Sequence, residues 1–137
     1  MLPESGRLTF RKKERLCSKN TFSYLFANGS SLRAGALSVY YSFDVPDELI
    51  KSPVTVAFAV PKRHIKEAVN RNYVKRRMRE VFRHKKSEII EVLSSRQSNL
   101  ILLISYNRPK LASFDELHYK MEKLLNKVLK KIEAREN

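Results

Sequence analysis

The spacing of apolar residues changes several times along the chain, and each change marks an element. Phe22, Leu25 and Phe26 fall at the three- and four-residue steps of a short helix. Ser18 is placed to cap its start. Asn28-Gly29 is placed to stop it, because both residue types tolerate left-handed backbone. Residues 30–35 read as a loop. From Ala36 to Phe43 the period drops to two, with Leu37, Val39 and Tyr41 on one face of a strand and Ser38, Tyr40 and Ser42 on the other. Asp44 to Pro53 reads as a loop or turn region punctuated by its prolines, with room for a short extra strand. Val54 to Val60 is a second strand, rich in β-branched residues and ended by Pro61.

The longest helical pattern runs from about Ala68 to Leu93, with an apolar stripe through Val74, Met78, Val81, Phe82, Ile89 and Val92. Ser94 to Ser98 breaks it. Asn99 to Tyr106 predicts a buried strand, and Asn107-Arg108-Pro109 a turn. Ser113 opens a final helix with a capping box completed by Glu116. That helix carries Phe114, Leu117, Met121, Leu124, Leu125, Val128 and Ile132 as its apolar stripe. The expected fold class is α+β, an α/β sandwich in the order αββ(β)αβα, with helices packed on a sheet of about four strands. A length of 137 residues fits one domain over 1–137. Its first 13 residues, with the cluster Arg11, Lys12 and Lys13, are expected to be flexible.

Composition narrows the class. With 42% hydrophobic residues the chain can build a core. Cys17 is the single cysteine, so a disulfide scaffold and paired-cysteine zinc sites are excluded. No apolar run approaches the roughly 20 residues of a membrane span. The N-terminus has no apolar stretch of signal-peptide length, so a cytoplasmic location is expected. His64, His84 and His118 have no metal-ligand spacing. No phosphate-cradling glycine loop or acid–base constellation stands out. The expectation is therefore no protein catalytic residue and no protein-held metal.

Charge then changes the picture. The chain has 28 Lys and Arg against 14 Asp and Glu, a net of +14 and a pI near 10.1. Such a balance calls for a polyanionic partner, nucleic acid first and an anionic membrane surface second. Between Lys62 and Lys86, eleven basic residues face two acidic ones, a net of +9. Arg71, Lys75, Arg79 and Arg83 recur at four-residue steps, and Arg76 widens that stripe. Like charges so placed repel one another unless an anion lies over them. Lys62, Arg63 and Lys66 lead into the stripe. Asn72 is the neutral amide of the first turn, equally able to contact a base or to bond the backbone. The mix of Lys and Arg suits tracking of a phosphate backbone.

These residues carry a resemblance. Val60-Pro61-Lys62-Arg63, followed by Arg71-Asn72-Tyr73-Val74-Lys75-Arg76-Arg77-Met78-Arg79-Glu80-Val81-Phe82, resembles the signature of the bacterial ribonuclease P protein component. The pattern there is a strand ending in a basic pair, then R-N-x-[IV]-K-R-x-x-R-[EQ]-x-F. Phe22, Phe26 and Gly29 match the family's F-x-x-x-F-x-x-G, and Tyr40 sits where its next strand carries an aromatic residue. The resemblance covers about residues 8–130. Two departures stand out. Tyr73 occupies a position where the family usually has a second arginine. His64 to Glu67 lack the glycine that many members carry, which predicts a more helical or more charged connection.

The resemblance implies a fold like the second domain of ribosomal protein S5, with a left-handed crossover. It implies the protein subunit of a ribozyme that removes the 5′ leader from precursor tRNA, a holoenzyme in which the RNA is the catalyst. The RNA would hold the Mg²⁺. The partners would be ribonuclease P RNA and precursor tRNA, with no membrane and no obligate protein partner. The RNA-binding residues would be Lys62, Arg63, Lys66, Arg71, Asn72, Lys75, Arg76, Arg79 and Arg83. Phe22, Phe26 and Tyr40 would floor a cleft for the single-stranded leader, where aromatic faces beside positive charge bind bases. Residue pattern alone would place these aromatics in the core. The rival readings are a ribosomal or generic RNA-binding protein, a stand-alone nuclease and a helix-turn-helix DNA binder.

Overall fold

The structure, a computed structural model, describes residues 19–50, 52–111 and 113–134. Among the described residues, three helices flank a four-stranded mixed sheet. The elements are α1 (Lys19–Asn28), β1 (Ser30–Ala34), β2 (Leu37–Phe43), β3 (Val54–Ala59), α2 (Ala68–Ser95), β4 (Leu100–Tyr106) and α3 (Phe114–Ala134). The strand order is β1-β2-β4-β3. β2 pairs antiparallel with β1 and β4, while β3 runs parallel to β4. The parallel pair needs a crossover, and α2 supplies it. The expected Ser18 cap and the basic N-terminal cluster lie outside the described residues.

Alternation along the strands divides the sheet into two faces. Leu37, Val39 and Tyr41 of β2, Val54 and Val56 of β3, and Leu100, Leu102 and Ile104 of β4 meet the apolar stripes of α2 and α3 in the main core. On α2 the buried positions are Val74, Met78, Val81, Phe82, Lys86, Ile89 and Leu93. On α3 they are Leu117, Met121, Leu124, Leu125, Val128, Leu129 and Ile132. Val92, expected in the α2 stripe, is only half-buried. The opposite face is smaller. Leu25 of α1 packs there on Val45, Ile101 and Leu103, and the Thr21 hydroxyl fastens α1 by donating to the Leu49 carbonyl at 2.8 Å.

Three local expectations change. Residues 30–35 are not a loop: Ser30–Ala34 is the edge strand, paired from Ser30↔Tyr41 to Ala34↔Leu37. The extra strand therefore precedes β2, and the 44–53 segment instead holds a single 3₁₀ turn at Asp47–Leu49. Gly29 does end α1, but not through a left-handed backbone. Among the described residues, positive φ occurs only at Gly35, Asp44 and Gln97. A Cβ at Gly29 would lie 2.6 Å from the Leu25 carbonyl oxygen and 2.8 Å from that of Tyr41, so close approach is what requires glycine. At α3 the Ser113 hydroxyl accepts from the Glu116 N–H at 3.1 Å, the expected cap.

Candidate nucleic-acid interface

The basic segment occupies the end of β3, a turn and the first turns of α2. After β3 the chain folds into a hydrogen-bonded turn, with the His64 and Ile65 N–H groups both donating to the Pro61 carbonyl. The connection is a turn rather than extra helix, and α2 begins at Ala68. Lys62 and Arg63 are exposed on that turn, as is Lys66 beyond it. Ile65 is buried and pins the turn to the core. Arg71 fixes it from the helix side: its guanidinium donates to the carbonyls of Ile65 at 2.9 Å and Lys66 at 2.6 Å. Arg71 is therefore partly a positioning residue for the other cations.

Along α2, Asn72, Arg76 and Arg79 are exposed, while Arg71, Lys75 and Arg83 are half-buried beside them. Asn72 makes no side-chain hydrogen bond to a described residue, so its amide is available to a ligand. Arg83 donates to Glu80 at 2.9 Å, and His84 Nε2 lies 3.5 Å from the same carboxylate. That pairing reduces what Arg83 offers to a phosphate. Burial of Val74, Met78, Val81 and Phe82 on the other side holds the helix rigidly to the sheet. The positive surface is narrower than the sequence count suggests. Lys86 is buried and Lys85 pairs with Glu88 at 3.1 Å; Arg77 lies off the stripe, toward α3, beside the rings of Tyr73 and Phe114.

The aromatic residues lie on the other face of the sheet. Phe26 is 60% exposed and Tyr40 37% exposed. Their rings meet edge to face at 5.8 Å, and Phe22 stacks near Phe26 at 6.4 Å. Phe22 is half-buried against the smaller core. Register sets what lies beside them. Tyr40 is level with Leu103 and Ala57, and the next row is Ser38, Ser105 and Ala59. Lys62 and Arg63 follow β3 just beyond that second row. Small side chains thus lie between the aromatic patch and the basic turn. Asn107 joins the row by accepting from the Ser105 hydroxyl at 2.9 Å and donating to Ser38 at 3.2 Å. At the C-terminal end of α1 a cavity of about 310 Å³ is lined by Asn28, Ser30, Tyr41, Ser42, Phe43 and Lys131. Periodicity could not show it, because Lys131 arrives from α3.

Among the described residues no group of three His, Cys, Asp or Glu side chains is placed to hold a metal ion. No described helix is long and apolar enough to cross a membrane. The surface supplies cations, an amide and aromatic faces, the equipment of a nucleic-acid binder.

Comparison with known proteins agrees. The family model for Ribonuclease P matches residues 10–129. The ribonuclease P protein component of Chlorobium phaeobacteroides is 30% identical over 128 residues, covering 88% of both chains. That of Chlorobaculum tepidum is 35% identical over 95 residues, covering 69% of this chain and 62% of the relative. The fold matches the structure of the Staphylococcus aureus RNase P protein, with a TM-score of 0.68 at 21% identity over 85% of this chain and 96% of that one.

Proposed function

The chain belongs to the ribonuclease P protein family, and on that premise we propose how it serves as the protein subunit of ribonuclease P. Its RNA partner is ribonuclease P RNA. The observation that carries the reading is the rigid cationic face at the start of α2, with Lys62, Arg63 and Lys66 held beside it by Arg71. Arg71, Asn72, Lys75, Arg76, Arg79 and Arg83 track the RNA backbone, Arg forking onto phosphate oxygens and Lys acting as a point charge. The face is built before RNA arrives, so little ordering cost falls on binding.

The substrate is precursor tRNA. Its single-stranded 5′ leader lies over Phe22, Phe26 and Tyr40, stacking bases on exposed ring faces, and passes toward Lys62 and Arg63. Hydrolysis of the phosphodiester bond belongs to the RNA. Mg²⁺ is assigned to the RNA, as the family resemblance implies, and no step is routed through the protein. The contribution of the protein is to hold catalyst and leader together, which lowers the Mg²⁺ needed to neutralise their mutual repulsion. The particle works in the cytoplasm.

Reconstitution tests this. Ribonuclease P RNA is given precursor tRNA at low Mg²⁺, with and without the protein. The expected result is cleavage at the 5′ maturation site only when both are present. Cleavage by RNA alone that the protein leaves unchanged across a Mg²⁺ range overturns the proposal. Cleavage by RNA-free protein overturns the assignment of catalysis to RNA.

A further inference from the structure

Arg77 stands outside the stripe, at a position the family pattern leaves unspecified. Successive helical residues are about 100° apart, so Arg77 is carried round from Arg76, away from Arg79 and toward α3. There its guanidinium carbon lies 5.1 Å from the centre of the Tyr73 ring and 5.0 Å from that of Phe114. Phe114 is in turn stacked with His118, at 5.8 Å and 12° between planes. Helix α2 supplies Tyr73 and Arg77, and the first turn of α3 supplies Phe114 and His118.

A guanidinium uses its faces for aromatic contact and its edge for hydrogen bonds, because all five N–H groups lie in its plane. Here two rings are in contact, and among the described residues the edge has no hydrogen-bond partner. The Nε of Arg77 is buried without an acceptor among the described residues, so an incoming phosphate would be met by the two terminal nitrogens. No described carboxylate pairs with the side chain, although Asp115 and Glu116 directly follow Phe114. Aromatic contacts on its faces, with the terminal nitrogens unpaired among the described residues, orient a cation for an acceptor that comes from outside.

We propose that Arg77 is a further RNA-phosphate contact, oriented by Tyr73 and Phe114, so that the RNA interface continues across α2 onto its seam with α3. The proposal rests on the reading of α2 as the RNA-binding helix. It gives Tyr73 a role. Helical side chains lean toward the N-terminus and cover the turn before their own. Arg77, four residues on, lays its charge over the turn where Tyr73 sits. A cation missing at 73 is thereby restored from 77, and Tyr73 is a positioning residue rather than a base-stacking one.

The test measures the affinity of the full chain for ribonuclease P RNA over a range of salt, with thermal unfolding of each variant alongside. Each phosphate contact contributes about 0.7–0.9 to the log–log salt slope. Arg77→Gln is expected to lower the slope by about that amount. Arg77→Lys keeps the charge, so it should keep the slope while weakening binding several-fold. Phe114→Leu should weaken binding with the slope retained. If Arg77→Gln leaves the slope unchanged while Lys75→Gln lowers it, the contact at Arg77 is overturned and the RNA face on α2 stands. A lowered unfolding midpoint with an unchanged slope reduces Arg77 to an interhelical clamp. Unchanged slopes in both Gln variants overturn the α2 reading itself.

Discussion

Leu25 and Phe26 are neighbours in sequence with opposite tasks, and the pair separates core from surface at single-residue resolution. Leu25 is 1% exposed and closes the smaller core against Val45, Ile101 and Leu103. Phe26 turns outward and touches Tyr40. Leu25→Ala should cost about 2–5 kcal/mol of stability, measured by urea unfolding, because it leaves a cavity that the sheet cannot fill. Phe26→Ala should cost less than about 1 kcal/mol. Its effect belongs in binding: the holoenzyme should lose affinity for leader-bearing precursor while affinity for mature tRNA stays the same. Equal losses for both RNAs, or a large loss of stability, would overturn the leader contact and leave Phe26 a packing partner of Tyr40. Helical spacing made Phe22, Leu25 and Phe26 look alike. Only the direction from which the sheet approaches α1 distinguishes them.

At the scale of elements, the sequence revealed those that bury a continuous stripe or alternate cleanly. The apolar periods of α2 and α3 place both helices within two residues of their observed ends, and β2 sends Leu37, Val39 and Tyr41 into the main core as expected, although Ser38 and Ser42 on its other face are buried as well. β1 was illegible because Ser30-Ser31-Leu32-Arg33-Ala34 buries little. It is a strand because the free edge of β2 offers it hydrogen bonds, a tertiary cause that local preference does not carry. The candidate interface was legible in the same uneven way. Four-residue spacing marked the α2 stripe, but the pairing of Arg77 with Phe114 depends on a different helix. The Arg71 contacts depend on how the turn after Pro61 folds back. Those contacts separate geometry from charge. Arg71→Lys retains the cation but shortens and reshapes the side chain that brings its Nη1 to the Ile65 and Lys66 carbonyls. RNA affinity should fall about tenfold with the salt slope unchanged, because Lys62, Arg63 and Lys66 lose their fixed positions. Arg79→Lys should change both far less. A slope that falls by about one contact in Arg71→Lys would mean that the guanidinium itself reaches a phosphate in a way the ammonium does not.

For the whole molecule, the governing quantity is the net charge of +14 on 137 residues. Such a charge opposes compaction, and much of it is concentrated where α2 meets solvent. Lys75 has Arg71 and Arg79 four residues away on either side, each pair of like charges weakening the helix by about 0.2–0.5 kcal/mol. A fold stressed in this way is stabilised by whatever binds its native cationic face and not its unfolded chain. Millimolar tripolyphosphate at constant ionic strength should therefore raise the unfolding midpoint by several degrees, since ~1 kcal/mol corresponds to roughly 2–8 °C in domains of this size class. At that concentration the general salting effect of multivalent anions is too small to compete. The double variant Lys75→Gln with Arg76→Gln should then behave in three linked ways. Without anion it should melt higher than the parent, because repulsion along α2 is relieved. Its response to tripolyphosphate should shrink. Its affinity for ribonuclease P RNA should drop with a salt slope lower by about 1.4–1.8, two contacts' worth. A variant that melts lower without anion would show that these side chains hold the fold together. The combination of higher stability with weaker RNA binding would show that the stripe lowers the stability of the free protein and is made good only when RNA lies on α2.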